Sequence, residues 1–291
     1  MKKLLLLLAV LLAFSPISEA KKKKAKRYKP YQHVVETQAN YDTAVTNVRN
    51  IISTSTFELA GEYSPYENAT VFAITHPALL KSASEGDHGG FGAVIRVSVT
   101  AVDEATQISY VNPVYMTNLY HIPEAPEVTK LLAETFGESK TFGSKRGKSK
   151  RALKGYQYMM FMPEFEDQDK LGSFDSYSQA VEKINANLAA GDLPLKKVFE
   201  VKIPGKDESL IGVAILDGDG GDKQIMSLID KSDIRHTAHL PYAVLISGDT
   251  AYALAGKFRI ASAFPDLSMG EFMDISDAPD AIKDSLSQLT K

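Results

Sequence analysis

The chain has 291 residues, a formal net charge of −3 at pH 7 and no cysteine. The missing cysteines exclude disulfide bonds, thiolate metal sites and cysteine nucleophiles. With 44% hydrophobic residues, the chain has a normal globular composition and is long enough for two ordinary domains.

The N-terminal residues have the layout of a cleavable secretory signal. Two lysines precede an apolar run over residues 4–14, and Ser18 and Ala20 place small residues at the positions that a signal peptidase recognises. The run is shorter than the about 20 apolar residues that a membrane-spanning helix needs. Residues 1–20 are therefore predicted to be a signal peptide that directs the chain to the periplasm or the cell exterior. An uncleaved anchor is the alternative, because the basic residues that follow resist translocation.

Charge is segregated along the rest of the chain. Residues 21–30 carry seven basic groups and no acid, and residues 138–155 carry seven basic groups and one acid. Residues 31–137 carry 4 basic and 12 acidic groups, and residues 156–291 carry 13 and 22. Two acidic units argue against nucleic acid as the partner, because phosphate binding needs a basic folded face. The basic tail and linker are predicted to fold back onto the acidic units or to contact an anionic envelope surface.

Two sequence motifs recur in the acidic units. The residues YDTAVTNV at 41–48 match YSQAVEKI at 177–184. The pattern M-x5-I-x-[DE]-A-P-[DE]-x2-K occurs at 116–130 and again at 269–283. Because seven positions of the second motif share one register, we interpret the acidic units as tandem copies of one domain. The 18 residues at 138–155 are predicted to be a flexible linker between the copies.

The predicted elements follow the same order in both copies. In the first, they are a strand at 31–37, a helix capped by Asn40, strands near 57–64 and 70–76, a helix at 77–84, strands at 92–102 and 106–112, and a closing helix at 125–137. In the second, they are a strand at 156–162, a helix capped by Ser176, strands at 195–203 and 209–216, a helix at 222–231, strands at 242–247 and 250–263, and a closing helix at 278–289. Each copy is thus predicted as a β-α-β4-α domain of the α+β class, with an antiparallel sheet and helices on one face.

Several segments resemble a known family. GAVIRVSV at 92–99 and NPVYM at 112–116 resemble the family called domain of unknown function 302, and GKFRI at 256–260 and FPDLSM at 264–269 resemble the C-terminal half of its longer, exported members. The resemblance implies a TATA-binding-protein-like fold and no established reaction. It also implies that single-domain members form dimers. We therefore expect the two copies to pack as an internal pseudo-dimer, which makes the chain a monomer or a weak oligomer.

Catalytic and metal-binding signatures are missing from the sequence. It contains no nucleophile elbow, HExxH motif, phosphate loop or Rossmann glycine pattern. The acidic run at 217–222 lacks the glycine and the bidentate glutamate of a calcium loop. His236 and His239 are interpreted as ordinary polar loop residues. No metal or cofactor is predicted, and haem ligation by methionine or histidine is kept as an alternative.

The repeated segment around Met116 is the predicted ligand site. It combines aromatic, thioether and imidazole groups, and core packing is the competing interpretation. The candidate residues are Tyr115, Met116, Tyr120 and His121 in the first copy and Met269 and Met273 in the second. We expect both segments to approach the contact between the copies, because clefts between domains are common ligand sites.

Two basic residues in predicted strands complete the candidate site. Arg96 alternates with apolar neighbours, and Arg259 shares one predicted strand face with Lys257. We expect these arginines to lie on the surface, solvated or paired with acidic neighbours, and binding of an anion is the alternative.

These features predict an exported, non-catalytic protein that binds a small apolar molecule or a partner in the envelope. A structural or assembly protein of the envelope is one alternative. A carboxylate-dependent hydrolase is another, because aspartate and glutamate are abundant, with 36 such residues.

Overall fold

The structure is a computed structural model that describes residues 25–291. The predicted signal peptide and the first lysines of the basic tail lie outside the described residues. Residues 25–291 form two antiparallel β-sheets with accompanying helices, which confirms the predicted α+β class. None of the helices in this range is long and apolar enough to cross a membrane. We call residues 25–155 the first half and residues 156–291 the second half.

The first half contains one sheet and five α-helices. Its strands are β1 (Tyr31–Thr37), β2 (Glu58–Tyr63), β3 (Ala69–Thr75), β4 (Ile95–Val102), β5 (Ala105–Val111) and β6 (Lys140–Phe142). Its helices are α1 (Tyr41–Thr54), α2 (Pro77–Ser84), α3 (Pro113–Leu119), α4 (Pro126–Phe136) and α5 (Lys150–Lys154). A first 3₁₀ turn (Gly89–Gly92) precedes β4.

The second half contains the other sheet and five further α-helices. Its strands are β7 (Asp169–Ser173), β8 (Leu195–Lys202), β9 (Glu208–Ile215), β10 (Tyr242–Ser247) and β11 (Thr250–Ala253). Its helices are α6 (Tyr177–Ala190), α7 (Asp222–Ile229), α8 (Gly256–Ala263), α9 (Met269–Asp274) and α10 (Ala278–Ser287). A second 3₁₀ turn (Thr237–His239) precedes β10, and a third (Gln288–Thr290) ends the chain.

The two sheets have corresponding strand orders. The first is β2-β3-β4-β5-β1-β6, and the second, read in the matching direction, is β8-β9-β10-β11-β7. The second strand of each half is bulged against its neighbour, with register shifts between Leu59 and Gly61 and between Lys197 and Phe199. A register shift also occurs in both the β1–β5 and the β7–β11 pairs. The halves therefore share their irregularities as well as their regular strands.

The long helices α1 and α6 begin and pack as the sequence predicts. The Asn40 side chain accepts a hydrogen bond from the Thr43 N–H at 2.9 Å, and the Ser176 hydroxyl accepts one from the Gln179 N–H at 3.2 Å. Most apolar positions at helical spacing are buried, namely Ala44, Val45, Val48 and Ile52 in α1 and Ala180, Ile184 and Leu188 in α6, whereas Ile51 is exposed and Val181 is half-buried.

One predicted strand of the second half is wrong, and another is too long. Residues 156–162 form turns, and Phe161 has a φ of 68°, which a strand does not allow. The strand pairing with β11 is β7, further along the chain. The strand predicted at 250–263 ends at Ala253, and α8 follows it. Nearly every residue of α8 is buried, so its sequence lacks the periodic spacing of apolar and polar residues that distinguishes a helix from a strand.

The segment at 138–155 is more ordered than the predicted flexible linker. Its strand β6 pairs with β1, so the first sheet gains a sixth strand. Tyr28 of the basic tail exchanges two backbone hydrogen bonds of 2.8 Å with Lys148. The described part of the tail therefore lies against this segment. The predicted contact of both with an anionic surface stays a prediction.

The halves contact each other through their 3₁₀ turns, in a region that we call the junction. The first turn lies on the second sheet, where the Gly90 N–H donates to Glu208 Oε1 at 2.8 Å. The second turn lies on the first sheet, where the Thr100 hydroxyl donates to Thr237 Oγ1 at 2.7 Å. Strands β2 and β8 also meet, and a Cβ added at Gly61 would lie 2.1 Å from the Val198 carbonyl oxygen. Close backbone approach therefore requires glycine at this position.

Candidate functional site

Two buried arginines, one from each half, lie at the junction. Arg96 on β4 is 5% exposed and Arg259 on α8 is 6% exposed. Arg96 Nε donates to the Ala238 carbonyl oxygen at 2.9 Å. Arg259 Nη1 donates to His239 Nδ1 at 2.8 Å, and its Nη2 donates to the His239 carbonyl oxygen. Neither guanidinium forms an ion pair with a carboxylate whose position the structure describes.

The electrostatics of this region are positive. Burial and the neighbouring charge of Arg259 lower the pKa of Arg96 to about 10, so the guanidinium is still charged at neutral pH. Burial and the two arginines hold the pKa of His239 well below its usual value, so this imidazole is neutral. Because arginine only donates, His239 Nδ1 is the acceptor and its Nε2 carries the hydrogen, 3.2 Å from the Tyr242 hydroxyl.

Two small cavities flank the arginines. Each has a volume of about 20 Å³, and both are lined by Arg96, Arg259 and Tyr120. One extends towards Tyr242, and the other towards Tyr31. A cavity needs about 10–15 Å³ to hold one water molecule. Each space therefore fits a single water-sized occupant and is too small for an apolar organic molecule or a haem.

The structure brings together five of the eight predicted site residues. Arg96, Arg259, Tyr115, Met116 and Tyr120 line the cavity that faces Tyr31. The Tyr115 hydroxyl donates to the Ser262 carbonyl oxygen at 2.9 Å, and Met116 is 1% exposed. Arg259 lies on a helix rather than on the predicted strand, because β11 ends early.

The two methionines of the second half lie elsewhere. Met269 and Met273 are 51% and 62% exposed on α9 and line neither cavity. The helix after β5, which holds Met116, corresponds in element order to α8 and not to α9. The sequence match between Met116 and Met269 therefore joins two helices that do not correspond in element order.

His121, the remaining predicted residue, lines a larger open cleft at the junction. The cleft has a volume of about 840 Å³, within the range of about 300–1,000 Å³ that is usual for small-molecule sites. Its walls are Glu85, Gly86, Asp87, His88 and His121 from the first half, and Phe165, Glu166, Gln168, Lys206, Asp207, Glu208, Ser247 and Gly248 from the second. Both halves therefore contribute to it.

The two histidines of the cleft have unusual backbone conformations. His88 has a φ of 50° and His121 a φ of 53°. Non-glycine residues pay about 1–3 kcal/mol for such strain, which is concentrated at binding sites. Aromatic contacts hold both rings, since His88 lies 4.6 Å from the Tyr252 ring and His121 lies 5.2 Å from the Phe165 ring. His121 Nδ1 also lies 2.8 Å from Glu166 Oε1.

Carboxylates dominate the charge of the cleft. Glu85, Asp87, Glu166, Asp207 and Glu208 line it, against one lysine. That lysine, Lys206, donates to the Gly86 carbonyl oxygen at 2.5 Å. Glu208 is engaged in the structure, because Ser247 donates to its Oε2 at 3.1 Å and Gly90 to its Oε1. The cleft therefore combines negative walls with aromatic and imidazole rings.

His236 and His239, which the sequence indicates as ordinary polar loop residues, lie in and beside the second 3₁₀ turn and are buried. His236 Nδ1 lies 3.0 Å from Asp230 Oδ1, and the ring stacks on Phe264 with 4.7 Å between centroids. Histidines in an irregular segment carry no periodic signal, so their burial could not be predicted from the sequence. Within residues 25–291, no group of three or more metal-binding side chains is present.

Comparisons with known proteins do not identify a family for this chain. No protein-family model matches the chain, and searches of curated proteins and of solved structures found no match. The resemblance to the domain of unknown function 302 family therefore stays a prediction from sequence segments.

Proposed function

We propose that this chain is an exported, non-catalytic binding protein whose cleft at the junction takes a small organic cation. The cleft of about 840 Å³, built by both halves, is the observation that carries this proposal. Its excess of carboxylates favours a positive ligand, and the rings of His88, His121 and Phe165 are part of its lining. Export is inferred from residues 1–20, which have the signal layout.

We further propose that the chain arose by tandem duplication of one TATA-binding-protein-like domain. Three features support this history: the corresponding strand orders, the bulge at the same place in β2 and β8, and a proline in the first turn of both α4 and α10. The reciprocal placement of each 3₁₀ turn on the other sheet supports an internal pseudo-dimer. In this arrangement the cleft lies beside the two-fold contact, where its walls differ because the copies have diverged.

Native mass spectrometry of the protein purified from the cell envelope tests the binding proposal. We expect a retained small mass that is lost in a Glu166→Gln, Asp207→Asn double variant, because removing two carboxylates weakens attraction of a cation. Asp192→Asn is the control, since Asp192 is an exposed carboxylate outside the cleft. Retention by the double variant, or an empty wild-type protein under gentle conditions, would contradict the proposal.

A further inference from the structure

We propose that Arg96, Arg259 and Tyr120 form a buried site for a chloride-sized inorganic anion. This site is separate from the cleft: of the residues that line the two small cavities, none lines the larger space. The inference therefore does not depend on what the cleft binds.

The first argument is charge. The two guanidinium groups are each more than nine-tenths buried and repel each other. Both also lower the pKa of His239. Asp230, an acidic residue of this region, is engaged by His236 through both carboxyl oxygens, at 2.8 and 3.0 Å. Burying charge is costly unless it is paired. A negative ion between the arginines removes that cost.

The second argument is hydrogen bonding. Each guanidinium has five N–H donors and no acceptor. The acceptors described around Arg96 are the Ala238 carbonyl oxygen and the Tyr120 hydroxyl. Those around Arg259 are two atoms of His239. Both groups therefore have more donors than these acceptors can take, and an anion accepts several donors at once.

The third argument is space. The two cavities share Arg96, Arg259 and Tyr120 and hold about 20 Å³ each. Such a volume suits one atom of about the size of water. A monatomic halide fits this limit, whereas a phosphate or a carboxylic acid needs room for several heavy atoms. The tyrosine hydroxyls at the rim, Tyr31 and Tyr242, are neutral because burial raises the pKa of each.

Halide-dependent stability and anomalous scattering test the site together. Thermal unfolding of the mature protein is measured in sodium chloride and in sodium gluconate of equal ionic strength, which separates binding from screening. We expect stabilisation by chloride that saturates with concentration. Crystals soaked in bromide should show one anomalous peak between Arg96 and Arg259.

Three variants sharpen the test. Arg96→Gln should weaken the affinity for chloride by about tenfold or more, because the variant loses one charge-assisted hydrogen bond. Tyr120→Phe removes only the hydroxyl group and keeps the ring, so we expect this variant to fold. It should also weaken the affinity for chloride, which keeps the proposal testable if Arg96→Gln does not fold. Arg151→Gln, at an exposed position of α5, should leave the effect unchanged. Equal stability in chloride and gluconate, or no bromide peak, would show that the cavities hold only water and would overturn the proposal.

Discussion

At the scale of single residues, Asp222 connects the two halves through a buried carboxyl group. It begins α7 in the second half and is 2% exposed, and its Oδ2 accepts a hydrogen bond from the Tyr63 hydroxyl of the first half at 2.9 Å. Its Oδ1 has no hydrogen-bond partner among the described residues. Burial raises the pKa of Asp222 from 3.8 to about 7. Between these two pH values the folded chain holds a proton that the unfolded chain releases.

This shift makes stability depend on pH with a defined sign. Because the folded pKa is raised, the contribution of Asp222 is fully present below about pH 4 and is lost as pH rises through about 7. Wild-type protein should lose stability relative to Asp222→Asn by about 1.4 kcal/mol for each pH unit in that window. Urea unfolding of both proteins from pH 4 to 8 measures this difference.

The exposed Asp219 offers a matched control for the same experiment. Asp219→Asn should follow the wild-type curve, because an exposed carboxyl is hydrated in both states. A difference between wild type and Asp222→Asn that stays constant from pH 4 to 8 would show that Asp222 does not titrate in this range.

At the scale of elements, α8 and α10 pack so closely that their contact requires glycine. A Cβ added at Gly256 would lie 2.6 Å from Pro279 Cα, which is backbone and cannot rotate away. Gly256→Ala should therefore separate the helices and destabilise the fold by about 1–3 kcal/mol. Gly155→Ala is the control, since a Cβ there meets nothing within 4 Å. Urea midpoints compare them, and equal midpoints would mean that the helices shift at no cost.

The same pair of helices shows what sequence reasoning can reach. The start of α10 was predictable, because Pro279 in a first turn beside acidic residues is a local signal. The helix α8 was not, because burial on all sides removes the periodicity that distinguishes the two kinds of element. The ordering of 138–155 was equally hidden, since β6 is formed by pairing with a strand about a hundred residues away.

The candidate site also has residues that could be predicted from the sequence and contacts that could not. Its arginines, tyrosines and His121 could be selected as unusual residue types, and the structure places five of the eight together. Their partners could not be predicted. Ala238 and His239 contact the arginines through a 3₁₀ turn that folds onto the opposite sheet, and only tertiary packing defines such contacts.

At the scale of the whole molecule, the junction makes the halves depend on each other. Gly90, Arg96 and Thr100 each donate a hydrogen bond to the second half from buried positions. Separating the halves would exchange these hydrogen bonds for bonds to water, at a net cost of about 0.5–1.5 kcal/mol each. We expect the mature protein to be a monomer that unfolds in a single calorimetric transition.

Light scattering on a sizing column, with calorimetry on the same sample, checks both expectations. A tight dimer would mean that the chain pairs through an external surface. Two separate transitions would show that the junction contributes little to stability.

The exposed turn that replaces the predicted strand at 156–162 has a chemical consequence. Met160 there is 76% exposed, and Met269 and Met273 are also open to solvent, whereas Met116 and Met226 are buried. Oxidants reach accessible thioethers first and convert them to polar sulfoxides. On the surface that conversion costs almost no folding energy, while in the core it would disrupt packing. The outer methionines can thus consume oxidant as sacrificial groups while the protein stays folded.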